Sequence, residues 1–107
     1  MFNFLNNQNT TNKDQQNNIE KTNENATFGT LQKARQDLMG EIQAVIEYDN
    51  HIHSSTNRLA IETWKDIKQE ELVHIGELFA LINYLDPNSQ IFIQKGIDEF
   101  NERLNKN

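Results

Sequence analysis

The chain has 107 residues and a formal charge of −6, from sixteen Asp and Glu against ten Lys and Arg. Its length bounds it to one small domain, and without a basic stripe to displace counterions it is not expected to bind nucleic acid. It contains no cysteine, which excludes disulfides, thiolate zinc sites and iron–sulfur clusters, so any metal must be held by oxygen and imidazole nitrogen.

The first stretch, residues 1–27, is dominated by Asn, Gln, Thr and Lys. It offers too little apolar surface to offset its ordering entropy, and a flexible Asn/Gln-rich tail is expected. MFNFLNN at the start lacks the basic segment of a secretory signal. No segment approaches the ~20 apolar residues that span a bilayer. A soluble cytoplasmic protein with no membrane partner is therefore expected.

From Phe28 the pattern becomes helical, and residues 28–107 form the ordered domain. Leu31, Ala34, Leu38, Glu41, Val45, Tyr48 and Ile52 recur at alternating steps of three and four, which marks a helix with one narrow stripe of coiled-coil type. The run His53-Ser54-Ser55-Thr56-Asn57 interrupts it and supplies several possible N-caps. A second stripe follows through Ala60, Trp64, Ile67, Glu71, His74, Leu78, Leu81 and Leu85, and Asp86-Pro87 stops it. A third, shorter helix is predicted from about Ser89 to Leu104, with Ile93, Ile97, Phe100 and Leu104 on its inner side. The fold class is all-α: a long antiparallel two-helix hairpin plus a short C-terminal helix. Two helices sharing one narrow seam bury too little to be stable alone, so oligomerisation is expected.

Both stripes carry polar residues at positions that ask for leucine: Glu41 in the first, Glu71 and His74 in the second. A lone carboxylate in an apolar seam is costly unless it finds a partner. With the turn centred near Thr56, Glu41 lies fifteen residues before it and Glu71 fifteen after it. A rise of ~1.5 Å per residue puts both at one level of the hairpin. His74 stands one turn along the same face as Glu71. Two carboxylates and an imidazole should therefore converge on one interior point.

Such donors suit iron, manganese or zinc. In carboxylate-bridged di-iron bundles, two helices each give one Glu and two each give Glu-x-x-His. This chain carries half of that set, and two copies about a twofold axis would complete it as a four-helix bundle. A Glu-x-x-His also arises by chance, and a polar residue in a seam can simply fix pairing register. A metal-free helical oligomerisation module is the alternative reading. The agreement of stripe, spacing and level favours the metal.

At these residues the chain resembles the encapsulated ferritins, the half-ferritins carried as cargo of encapsulin nanocompartments. The resemblance covers Leu31 to about Leu104 and rests on MGEIQAVIEYD (Met39 to Asp49), on QEELVH (Gln69 to His74) and on the spacing of thirty from Glu41 to Glu71. It implies a ferritin-like bundle formed by a homodimer, a decameric ring of dimers, and an encapsulin shell as partner. It also implies a ferroxidase that oxidises Fe(II) with dioxygen, with two Fe per dimer held by Glu41, Glu71 and His74. The mineral would collect inside the encapsulin nanocompartment, in the cytoplasm. Acidic residues that form an outer metal site in the family are replaced here by Gly40 and Gln43, so that site is not expected. The shell-docking tail of the family's stand-alone members is not recognisable before Asn107. Docking through the N-terminal tail, or origin as a domain of an encapsulin fusion, both stay open. A rubrerythrin-like di-iron peroxidase is a further alternative, although rubrerythrins commonly add a cysteine-ligated iron domain that this chain lacks.

Other residues carry weaker expectations. Tyr48 and Trp64, two turns from the ligands, are core residues first and electron donors second. Glu70 points off the stripe and is at most an outer partner of the site. His51 and His53 complement the negative end of the first helix. Glu47, Glu62, Asp66 and Glu77 read as solvated faces, some able to line a cation path.

Overall fold

In the computed structural model the backbone is described for residues 13–106 and side chains from Thr27 to Lys106. Over these residues the protein is all-α, with three helices: α1 (Lys13–Ser54), α2 (Arg58–Leu85) and α3 (Pro87–Lys106). α1 begins upstream of the predicted onset at Phe28, because extending an existing helix fixes few torsions for each hydrogen bond gained, whereas nucleation is costly. Residues 1–12 of the predicted tail lie outside the described residues. None of the described helices is long and apolar enough to cross a membrane.

The chain divides into two compact units, one of Gln32–Leu81 and the other of Met1–Leu31 with Ile82–Asn107. The first is the helical hairpin. Its turn is the three-residue segment between Ser54 and Arg58, centred on Thr56 as the sequence predicts. Local side chains close it. Ser54 Oγ donates to the Asn50 carbonyl at 2.8 Å, occupying one of the carbonyls left over at the end of α1. The Asn57 amide donates to Ser55 Oγ at 3.1 Å, and Asn57 Oδ1 accepts from the Ala60 amide at 3.0 Å. Asn57 is thus the N-cap of α2. Further along the pair, Lys68 Nζ lies 2.6 Å from Asp49 Oδ1 and links the two helices at the surface. A pair so exposed contributes about 0–1 kcal/mol.

The predicted stripes are the covered faces over most of the hairpin. On α1, Ala34 is buried and Leu38, Glu41, Val45, Tyr48 and Ile52 are half-buried; on α2, Ala60, Trp64, Ile67, Glu71 and Leu78 are half-buried. His74 and Leu81 depart from this pattern, both being exposed, while Ile82 beside Leu81 is buried. A straight helix drifts by about 20° per heptad against a strict seven-residue repeat, which hands the covered position to the next residue. The covering is thin. Leu31, Ala34 and Ile82 are the buried hydrophobic residues among those described, and no large side chain is fully enclosed.

In the second unit the start of α3 differs from the prediction. Pro87 opens the helix instead of preceding it, since its missing N–H falls where a helix has no use for one. Asp86 caps it by accepting from the Ser89 amide at 3.3 Å and from the Ser89 hydroxyl. The inner face is also different. Gln90 and Asn101 are buried and Ile97 half-buried, whereas Ile93, Phe100 and Leu104 are exposed. Apolar spacing identifies which residues share a face; it does not say that the chain itself covers that face.

The cap at Asn57 gives a direct check on the turn. Asn57→Ala should lower stability by about 1 kcal/mol, read from urea denaturation followed by circular dichroism.

Candidate metal centre

Because the turn is centred on Thr56, residues equally far from it in sequence come level on the two helices. Glu41 and Glu71 meet this condition, and His74 follows Glu71 by less than one turn. The structure brings the three together. His74 Nδ1 lies 3.4 Å from Glu41 Oε1 and 3.7 Å from Glu71 Oε2. One donor atom from each residue falls within 4.8 Å of the others.

These separations bear on two uses of the same residues. At 3.4 and 3.7 Å the contacts are longer than a direct hydrogen bond from a ring nitrogen to a carboxylate. Two ligands at about 2.1 Å from a common ion, at right or tetrahedral angles, stand about 3.0–3.4 Å apart. The Glu41 contact falls at the upper end of that range and the Glu71 contact beyond it, so the donors stand close to ligand spacing while both contacts are also within ion-pair reach. Two carboxylate oxygens and one imidazole nitrogen are a donor set for iron, manganese or zinc. Three protein donors leave further coordination positions open, as catalytic metal sites require.

The group does not sit in a sealed interior, as the seam pattern suggests. The side chains of Glu41 and Glu71 are 24% and 19% exposed, and that of His74 is 48% exposed. The reason is geometric: a pair of helices has a seam but no inside. The donors open onto a cavity of about 570 Å³, also lined by Gln36, Asp37, Gly40, Ala44, Glu77 and Leu78. Among the described residues, no Lys or Arg lines it. Four carboxylates and one imidazole make it a place that concentrates cations.

The seam pattern does not single out Asp37, and it marks Glu77 only as a solvated residue able to line a cation path. The signal lies in the spacing: Asp37 is four residues before Glu41 and Glu77 three after His74, so each shares a helical face with a donor. Gly40 lines the cavity and Gln43 is exposed, so neither supplies the acidic group of an outer site. Glu70 is exposed and lies off the cavity lining. Tyr48 and Trp64 are half-buried nearer the turn and also lie off the lining. His53 is in the last turn of α1, where a basic group complements the helix dipole. His51 is in the same turn, but its ring lies 5.0 Å from that of Trp64.

Binding of a spectroscopic divalent probe tests the donor set. Co(II) should bind with visible ligand-field bands. His74→Ala and Glu71→Ala should each weaken binding by more than the about 10–100-fold typical of losing an outer partner of a ligand, as measured by absorbance titration. Comparison with protein-family models, with curated proteins and with solved structures finds no match.

Proposed function

We propose that the chain is a half-ferritin ferroxidase, which oxidises Fe(II) with dioxygen at a di-iron centre shared between two copies. The observation that carries this reading is the convergence of one Glu from α1 and a Glu-x-x-His from α2 at one level of a hairpin. That is half of the donor set of a carboxylate-bridged di-iron bundle. Iron is the substrate. Glu71 of each copy would bridge two ions, while Glu41 and His74 of each copy would terminate one. Two adjacent Fe(II) ions together supply two electrons to dioxygen, and oxygen-rich donors favour Fe(III) over Fe(II). The acidic cavity attracts the incoming cation.

Several features support a second copy over the donors. The hairpin buries little apolar surface, and Met39, Ile42 and Ile46 on α1 and Leu72 and Val73 on α2 are exposed. These residues bracket the donors in sequence. Gly40 stands beside Glu41 within α1, although a Cβ there would meet nothing within 4 Å. Glycine in a helix interior costs about 1 kcal/mol relative to alanine, and the single chain gives no return for it. Close approach of another backbone would. Gly40→Ala should then stabilise the isolated chain by up to about 1 kcal/mol while weakening pairing, as read by denaturation and by sedimentation.

The wider setting rests on the resemblance of MGEIQAVIEYD and QEELVH to encapsulated ferritins. On that basis the dimers assemble into a decameric ring, dock within an encapsulin shell in the cytoplasm, and feed iron to a mineral stored there.

A second reading has its own observation. His74 Nδ1 is within ion-pair reach of both carboxylates, as a pairing device would arrange it. Native mass spectrometry after anaerobic Fe(II) titration and brief exposure to air separates the two. Two irons retained per pair of chains, and lost in Glu71→Gln, are expected. An intact oligomer that retains no iron, and that Glu71→Leu makes more stable, would establish the metal-free module instead.

A further inference from the structure

Away from the donor group, α3 is turned against its own apolar pattern. The face it buries carries Gln90 and Asn101, at 2% and 8% exposure, with Gln94 and Ile97 half-buried between them. The neighbouring row of Ile93, Ile97, Phe100 and Leu104 has the same four, three, four spacing, yet Ile93, Phe100 and Leu104 are 41%, 51% and 58% exposed. The buried side is also incompletely bonded, since Asn83 Oδ1 and Gln90 Nε2 have no hydrogen-bond partner, and burying amides in this way is costly. Single exposed apolar residues are ordinary, but a continuous row along one helix marks a surface that another segment covers.

Two occupants are at hand, and area decides between them. A stable contact between separate copies takes about 800 Å² from each partner, and four side chains in one row, one of them already half-buried, fall far short of it. A tethered segment needs less, because a short flexible linker holds it at an effective concentration in the millimolar range. The unit that contains α3 also contains Met1–Leu31. Within residues 1–27 the apolar side chains gather at Met1, Phe2, Phe4 and Leu5, with Ile19 and Ala26 the only others. Residues 1–12 carry no charged side chain, so a chain of charge −6 does not repel them. Seven residues, Asn6 to Asn12, join this head to α1 at Lys13. Extended, such a linker reaches about 25 Å, whereas the row from Ile93 to Leu104 is about 16 Å long. We propose that the opening segment MFNFL docks on the apolar row of α3 in its own chain, with Phe2, Phe4 and Leu5 covering Ile93, Phe100 and Leu104. A seated head closes the row to other chains. The docking is independent of the metal and of the ferroxidase reading.

The chain has no cysteine, so one introduced thiol reports one position. In the full chain, Ile93→Cys should react with a chromogenic disulfide reagent about tenfold more slowly than when Phe2→Ser and Phe4→Ser are also present. Leu59→Cys, in the other unit at 74% exposure, should react at the same rate with either head. Equal rates at Ile93→Cys in the two backgrounds would show an open row and overturn the docking. So would a gain at Leu59→Cys as large as that at Ile93→Cys, which would mark a general loosening of the fold. Phe4→Cys, paired in turn with Ile93→Cys, Phe100→Cys and Leu104→Cys, should close at least one disulfide within a single chain on mild oxidation, read by non-reducing electrophoresis. No link at any of the three positions overturns the docking. Links only between chains, from head to row or from row to row, give the surface to a second copy and overturn it as well.

Discussion

Everything in the hairpin depends on the register set by its turn. Ser54, Ser55 and Asn57 close three residues so tightly that α2 starts at a defined height against α1. From that point, position along either helix is simple addition at about 1.5 Å per residue. A carboxylate fifteen residues before Thr56 must meet one fifteen residues after it. No long-range interaction is needed to assemble the donor group, and the contact between His74 and both glutamates is the outcome of that arithmetic.

The same economy creates the deficit that shapes the rest of the molecule. Two helices share one line of contact, so the donors remain open to water and the seam encloses no large side chain. The side chains that would complete an ordinary core point outward instead, as Met39, Ile42, Ile46, Leu72 and Val73 do. In the proposed pairing, a second hairpin would supply both further donors and the missing cover. That coincidence gives the paired reading its weight.

Much of this was legible in the sequence because helices obey a fixed period. The hairpin, its turn, and the trio of Glu41, Glu71 and His74 follow from spacing alone. What was not legible depended on matters spacing does not encode. Pro87 reads as a stop and acts as a start, because the same missing N–H serves both ends of the argument. Ile93, Phe100 and Leu104 form a true apolar row, yet the chain covers Gln90 and Asn101, and a pattern cannot name the surface that meets it. His51 reads as a dipole partner, and the placement of its ring against that of Trp64 is not foretold by spacing. Of the cavity's acidic rim, Glu77 reads as one of several residues able to line a cation path, whereas Asp37 was not singled out, since an acidic residue on an open helix face usually has nothing to do.

All three donors lie between Glu41 and His74, within one uninterrupted hairpin and on one side of a boundary that leaves α3 to the other unit. The segment that carries the candidate donors is therefore portable. Joined head to tail with a copy of itself, it would place four helices and, on the proposed reading, the whole donor set in one polypeptide, without any change to the donors themselves. Each half would then be free to diverge, and an initially symmetric centre could acquire two chemically distinct ions through mutations that a self-paired chain must always make twice.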